Sequence, residues 1–180
     1  MHAANNISTI LKYTNAYDEV LPYLYLGSLK AFEKNKFQNI DNNDNGISNE
    51  NKSFNMIVNL IKQTALSDNT IPPCELFIRL PVHDSPDECE TLLSLVYETR
   101  VLEQMHDFIM KERTILVHCF AGMQRSCALV ACYLIKYHHM KPDEAIEYIK
   151  LKRPIAFFGQ INFMRMITMF YENMKQYETI

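Results

Sequence analysis

A chain of 180 residues with 48% hydrophobic side chains can bury one core without disulfides or a structural metal, so a single domain is expected. A formal net charge of −3 with no polybasic cluster excludes a general affinity for nucleic acid or anionic membrane, so any anion must be caught at a site. The opening residues hold neither a signal-peptide core nor a spanning apolar stretch, and Cys74, Cys89, Cys119, Cys127 and Cys132 form no Cys-x-x-Cys pair, so reduced thiols in an intracellular, cytoplasmic protein are expected.

In chain order, apolar runs predict strands at Tyr23–Leu26 and Met56–Leu60. Between them Asn39–Asn55 gathers Asn, Asp, Ser and Lys around Gly46, the composition of a solvated surface insertion, and no function is assigned to it. A further strand is expected at Leu76–Leu80. From Asp87 to Lys111, Leu92, Leu95, Val96, Leu102, Met105 and Ile109 recur at the spacing of one helical face. Ser85, Pro86 and Glu88 supply the signature of its start: a capping serine, a first-turn proline and a reciprocal glutamate.

Thr114–His118 is the clearest strand, because Ile115, Leu116 and Val117 run without alternation, as in a strand buried on both faces. It feeds a small-residue turn and then a helix over Arg125–Tyr137, apolar along Ala128–Ile135 and hence buried. Cys127 and Cys132 fall on that helix as core residues, and His138-His139 at its end read as caps or solvated groups. Helices follow over Pro142–Lys152, stopped by Pro154, and over Gln160–Lys175, with Phe163, Ile167, Phe170 and Met174 inward. Strands interleaved with helices make an α/β sandwich.

The chemistry concentrates in Val117-His118-Cys119-Phe120-Ala121-Gly122-Met123-Gln124-Arg125-Ser126. A cysteine between a buried strand and a helix start sits where successive backbone N–H groups converge. Those dipoles favour the thiolate when the loop is empty and a phosphate when it is filled, making Cys119 a nucleophile. Gly122 allows positive φ or close approach in mid-loop. Arg125, six residues after the cysteine, can grip two phosphate oxygens with its planar fork, and Ser126 can donate its hydroxyl to the sulfur.

This strand, loop and helix, carrying His-Cys-x5-Arg-Ser, closely resembles the signature of the cysteine-based protein tyrosine phosphatases, and the short chain resembles their dual-specificity (vaccinia-type) subclass. Leu21–Ser28 is similar to that subclass's opening strand, Leu80-Pro81-Val82-His83-Asp84 to its acid-bearing segment, and Lys152-Arg153-Pro154 with Phe163 to its C-terminal part. The resemblance implies a single-domain fold with a central, mostly parallel sheet flanked by helices. It implies a phosphate-binding loop of Phe120, Ala121, Gly122, Met123, Gln124 and Arg125, with His118 ordering that loop. It implies Asp84 as general acid, with Asp87 the alternate and His83 a neighbour. A phosphocysteine intermediate follows, with no cofactor and no metal, on a phosphorylated protein substrate carrying phosphotyrosine or phosphoserine/phosphothreonine. Two positions depart from the pattern: Gln124 stands where a small residue often precedes the arginine, and Gly159-Gln160 where Pro-Asn is common.

Rival readings are a non-catalytic phosphoprotein-binding pseudophosphatase and a phosphatase of phosphoinositide or RNA 5′-triphosphate. The first usually loses the cysteine, arginine or acid, all present here; the second would want lysines in the loop and the third a basic approach channel. Cys89, near the acid segment, is a candidate partner for Cys119 under oxidation. A homodimer is left open. The Asn and Lys content suggests an A/T-rich genome, such as that of a large DNA virus or a protist, which would make the compartment a host cell or virion.

Overall fold

The computed structural model describes residues 13–37, 53–62 and 71–178. Most of the Asn-rich stretch lies outside these residues, but its end does not: Phe54 is buried, and the Asn55 side chain accepts from the Thr114 backbone N–H at 3.0 Å. Among the described residues the strands are β1 (Tyr17–Leu21), β2 (Leu24–Gly27), β3 (Met56–Ile61), β4 (Leu76–Val82) and β5 (Ile115–His118). They form one sheet in the order β1-β2-β5-β3-β4, parallel throughout except for the antiparallel β1–β2 pair. This is the α/β fold that the interleaved pattern predicts.

The strand β1 is one that periodicity misses, since Asp18 and Glu19 break any apolar run. It turns into β2 through Pro22 and Tyr23, the latter with φ of 70°, the order of a type II turn. Tyr23 is thus a turn residue and not the first residue of the strand.

Side chains of a strand alternate between faces, and that alternation divides the core in two. Tyr25, Ile57 and Leu116 point to the smaller cluster, closed by Phe54 and by Ala31 and Phe32 of α1 (Leu29–Phe37). Leu24, Leu26, Met56, Val58, Ile115 and Val117 point to the larger one, covered by the remaining helices. β5 lies between β2 and β3 and is buried over its whole length, as its unbroken apolar run requires.

The helix expected over Asp87–Lys111 is three pieces: a 3-10 turn (Pro86–Glu88), α2 (Cys89–Thr99) and α3 (Val101–Met110). Ser85 caps the start, accepting from the Asp87 N–H at 3.3 Å. The Glu88 carboxylate does not return to Ser85: it bonds Lys62 Nζ at 2.9 Å and the His83 N–H at 3.4 Å. Arg100, left-handed with φ of 50°, separates α2 from α3. The reason is one of phase: continuing the face of Leu92, Leu93 and Val96 by three or four residues would bury Thr99 and Arg100. Resetting the helix at residue 100 buries Val101, Leu102 and Met105 instead.

The helix α4 (Arg125–His138) runs through the middle of the core, with every residue from Arg125 to Ile135 buried. It packs against α5 (Pro142–Lys152) and α6 (Met164–Glu178), the latter beginning after Phe163 and not at Gln160. His139 ends α4 in a left-handed conformation, its N–H on the Leu134 carbonyl. No helix among the described residues is long and apolar enough to cross a membrane. Because β3, β4 and β5 are parallel, their C-terminal ends meet along one edge, the place where open α/β sheets bind ligands.

Candidate active site

At that edge the chain leaves β5 at His118, makes the loop Cys119–Gln124 and enters α4 at Arg125. Its carbonyls are held from outside. The Phe120 carbonyl accepts from the Leu29 N–H at 3.0 Å and that of Met123 from the Phe157 N–H at 2.7 Å. The carbonyls of Ala121 and Gly122 accept from Arg153, through Nη2 at 3.3 Å and Nε at 2.8 Å. In a planar trans peptide the N–H points opposite to the C=O. Four carbonyls fixed outward therefore turn the N–H groups of Ala121, Gly122, Met123 and Gln124 inward, where they line a concavity beside the start of α4 whose polarity suits an anion.

Gly122 has φ of +66°. A Cβ there would stand 2.5 Å from the Gly27 carbonyl oxygen and 2.8 Å from Arg153 Nη2, so both the conformation and the space call for glycine. Arg153 is fully buried and ion-paired with Asp18, whose carboxylate also accepts from the Tyr13 hydroxyl. Tyr13 lies across the guanidinium, 5.3 Å from ring centroid to Cζ. The pattern gave Arg153 no such task, because in sequence it stands beside the partly exposed Lys150 and the exposed Lys152 of α5.

Cys119 is fully buried, with the Ser126 hydroxyl oxygen 3.2 Å from its Sγ. Arg125 is also buried; its Nη1 donates to the carbonyls of Leu60 at 3.2 Å and Val82 at 3.1 Å, the ends of β3 and β4. Among the described residues its buried Nε has no hydrogen-bond acceptor, and Asp84 Oδ2 stands 3.6 Å away as its ion-pair neighbour. Ile61, Lys62, His83, Asp84, Phe120 and Arg125 line a cavity of about 370 Å³. Asp84 thus faces the same pocket as the arginine. Asp87 does not line it, being engaged with Ser85 at the start of the 3-10 turn.

His118 is buried, its ring stacked on Phe32 at 4.7 Å. Burial pushes the thiols of Cys127 and Cys132 well up, which keeps them protonated as core residues. Cys89 is buried and free, its thiol directed at the Asn162 carbonyl at 3.4 Å, and burial raises it too.

Gln124, one of the two departures, is a clamp. Its Nε2 donates to the carbonyls of Phe158 at 3.1 Å and Gln160 at 3.0 Å, and its Oε1 accepts from the Asn162 N–H at 3.2 Å. A small residue could make none of these bonds. Its carboxamide joins the loop to the segment that carries the other departure, Gly159-Gln160.

A loop of inward amides, a buried thiol with a hydroxyl beside it and an arginine fixed to strand ends define a phosphate-handling cysteine site. The profile of the family described as "Dual specificity phosphatase, catalytic domain" matches residues 37–173, and the chain belongs to that family. Dual specificity protein phosphatase 18 of Homo sapiens is 34% identical over 116 residues, which span 62% of this chain and 58% of that protein. Dual specificity protein phosphatase 14 of Homo sapiens is 33% identical over 79 residues, 44% of this chain and 38% of that protein. The chain therefore spans less than two thirds of the length of these relatives. Among solved structures it is similar to human DUSP28, with a TM-score of 0.68 at 22% identity over 91% of this chain and 97% of that one. It is also similar to human tyrosine phosphatase-like serine/threonine/tyrosine-interacting protein, with a TM-score of 0.61 at 20% identity over 89% of this chain and 97% of that one. These likenesses show a common fold; the chemistry rests on the residues of the site.

Proposed function

We propose that this domain hydrolyses phosphate monoesters on phosphorylated proteins, on tyrosine and on serine or threonine, through a phosphocysteine intermediate. The observation that supports the reading is the set of four carbonyls between Phe120 and Met123 held from outside the loop, which leaves the four N–H groups that follow them turned inward beside Cys119. The Cys119 thiolate attacks phosphorus in line, forming an S–P bond as the P–O ester bond breaks. The equatorial oxygens are held by the loop amides and by Arg125, whose buried Nε has no hydrogen-bond acceptor among the described residues. Asp84 gives its proton to the departing oxygen. As a carboxylate it then takes a proton from water, whose oxygen attacks phosphorus; the S–P bond breaks and inorganic phosphate leaves. The Ser126 hydroxyl, 3.2 Å from the sulfur, stabilises the departing thiolate.

Both classes of phosphoresidue are inferred from family membership. Among the described residues Lys62 and Arg125 are the Lys/Arg cations lining the pocket, and Phe120, Ala121, Met123 and Gln124 bring no charge to the loop, which favours a protein monoester over an inositol lipid or triphosphate RNA. Turnover of a fluorescent aryl phosphate in chelator, with release of phosphate from phosphotyrosyl and phosphothreonyl peptides, tests this. Wild type is expected to turn over all three and Cys119→Ser none. Activity persisting in Cys119→Ser overturns the mechanism, and a wild type that captures phosphopeptide without releasing phosphate returns the binding-only reading.

A further inference from the structure

Three parts of the site meet on Asn162: the loop before α4, the acid-bearing segment after β4, and the stretch between α5 and α6. Its backbone N–H is held by Gln124 Oε1 at 3.2 Å, and its backbone carbonyl accepts from Cys89 Sγ at 3.4 Å, at the start of α2. Its neighbour Phe163 is fully buried in the core. With the backbone tied on both sides, the side chain is directed outward, and its Nδ2 donates to Asp84 Oδ1 at 2.9 Å.

Asp84 needs such a contact. It sits in the turn between β4 and the 3-10 turn with 35% of its side chain exposed, and nothing in the turn itself fixes a carboxyl rotor. The two oxygens are distinguished: Oδ1 faces the Asn162 carboxamide, and Oδ2 faces Arg125 at 3.6 Å. The Asn162 N–H occupies Oδ1, so Oδ2, on the pocket side, is the oxygen turned toward a leaving group.

We infer that Asn162 is a positioning residue for proton transfer to the leaving group, holding Asp84 Oδ1 so that Oδ2 delivers the proton, with Gln124 setting its position from the phosphate-binding loop. This rests on the assignment of Asp84 as general acid. It also gives both carboxamides a task that neither residue's place in the sequence discloses: Gln124 registers the stretch between α5 and α6 against the loop, and Asn162 passes that registration to the acid.

The test uses leaving groups, because only a step that needs a proton responds to them. With phenyl phosphate the departing oxygen requires protonation; with 2,4-dinitrophenyl phosphate it leaves without it. Asn162→Ala is expected to lower kcat/KM on phenyl phosphate about tenfold and on the dinitrophenyl ester less than about twofold, the loss of one orienting hydrogen bond. Asn162→Leu, close in shape and without the N–H, should give the same split, which separates loss of the donor from loss of packing. In an Asp84→Ala background, Asn162→Ala should add no further selective loss. An equal fall on both esters, or a selective loss that persists without Asp84, overturns the inference. If Asp84→Ala is selective for phenyl phosphate and the Asn162 variants are not, the inference alone falls. If Asp84→Ala shows no selectivity, the acid assignment falls and takes this inference with it.

Discussion

Replacing Gly122 by alanine puts two costs on one atom, and the structure separates them. The first is conformational: φ of +66° lies in the left-handed region, where a Cβ costs about 1–2 kcal/mol. The second is spatial, because the new methyl would meet the Gly27 carbonyl oxygen at 2.5 Å, its carbon at 2.7 Å and Arg153 Nη2 at 2.8 Å. Two of those three atoms are backbone of β2 and cannot rotate away, so the loop or the strand must shift, at about 1–3 kcal/mol. A total loss of about 2–5 kcal/mol is expected, together with most of the activity, since the shift moves the amides proposed to hold the phosphate. Gly159→Ala is the matched control: its φ is +74°, yet its Cβ would meet nothing within 4 Å. It should lose about 1–2 kcal/mol and no catalytic rate. Urea unfolding with aryl phosphate turnover measures both quantities. Equal destabilisation of the two variants, or an active Gly122→Ala enzyme, would refute the packing of the loop against β2.

Asp18→Asn leaves the buried guanidinium of Arg153 without its counter-charge and should cost about 3 kcal/mol, with partial loss of activity as two loop carbonyls lose a firm donor. Combining it with Arg153→Met should cost less than the sum of the single changes in urea unfolding; strict additivity would show that the pair is not coupled. Lys62 holds the Glu88 carboxylate below its usual range. A folded value below the unfolded one, about 4.3, means stabilisation that is complete above the unfolded value and lost as pH falls through the folded one. With Lys62 43% exposed, Lys62→Met should lower stability by about 0.5 kcal/mol at neutral pH, and the gap should close as pH falls below the unfolded carboxylate value and through the lowered folded one. A gap independent of pH would show that Lys62 acts through packing.

The site was legible wherever one short segment carries the whole instruction. Cys119, Gly122, Arg125 and Ser126 share a loop and a helix start, so their offsets announce what the backbone does with them. β5 and α4 were legible for a similar reason, since an unbroken apolar run needs no distant partner to be recognised. What escaped depends on residues far apart in the chain. The strand β1 is defined by pairing with β2 and not by its own pattern. Arg153 acquires its meaning only when Asp18 and Ala121 are brought beside it. The break at Arg100 did have a trace, a slip of the apolar spacing between Val96 and Val101, but a long amphipathic window averages over one residue of phase. Gln124 was visible as a departure, whereas its three bonds to residues 158–162 were not.

Because Nη1 of Arg125 is moored to Leu60 and Val82, the guanidinium takes its bearings from two neighbouring strands and not from the helix that bears it. One mooring is the last residue of β4, at the rim of the sheet with a neighbour on one side. Fraying of that rim would release the cation while the interior stayed intact, so gentle warming should silence turnover before circular dichroism reports any melting. The enzyme would then behave as a thermometer of its own outermost strand.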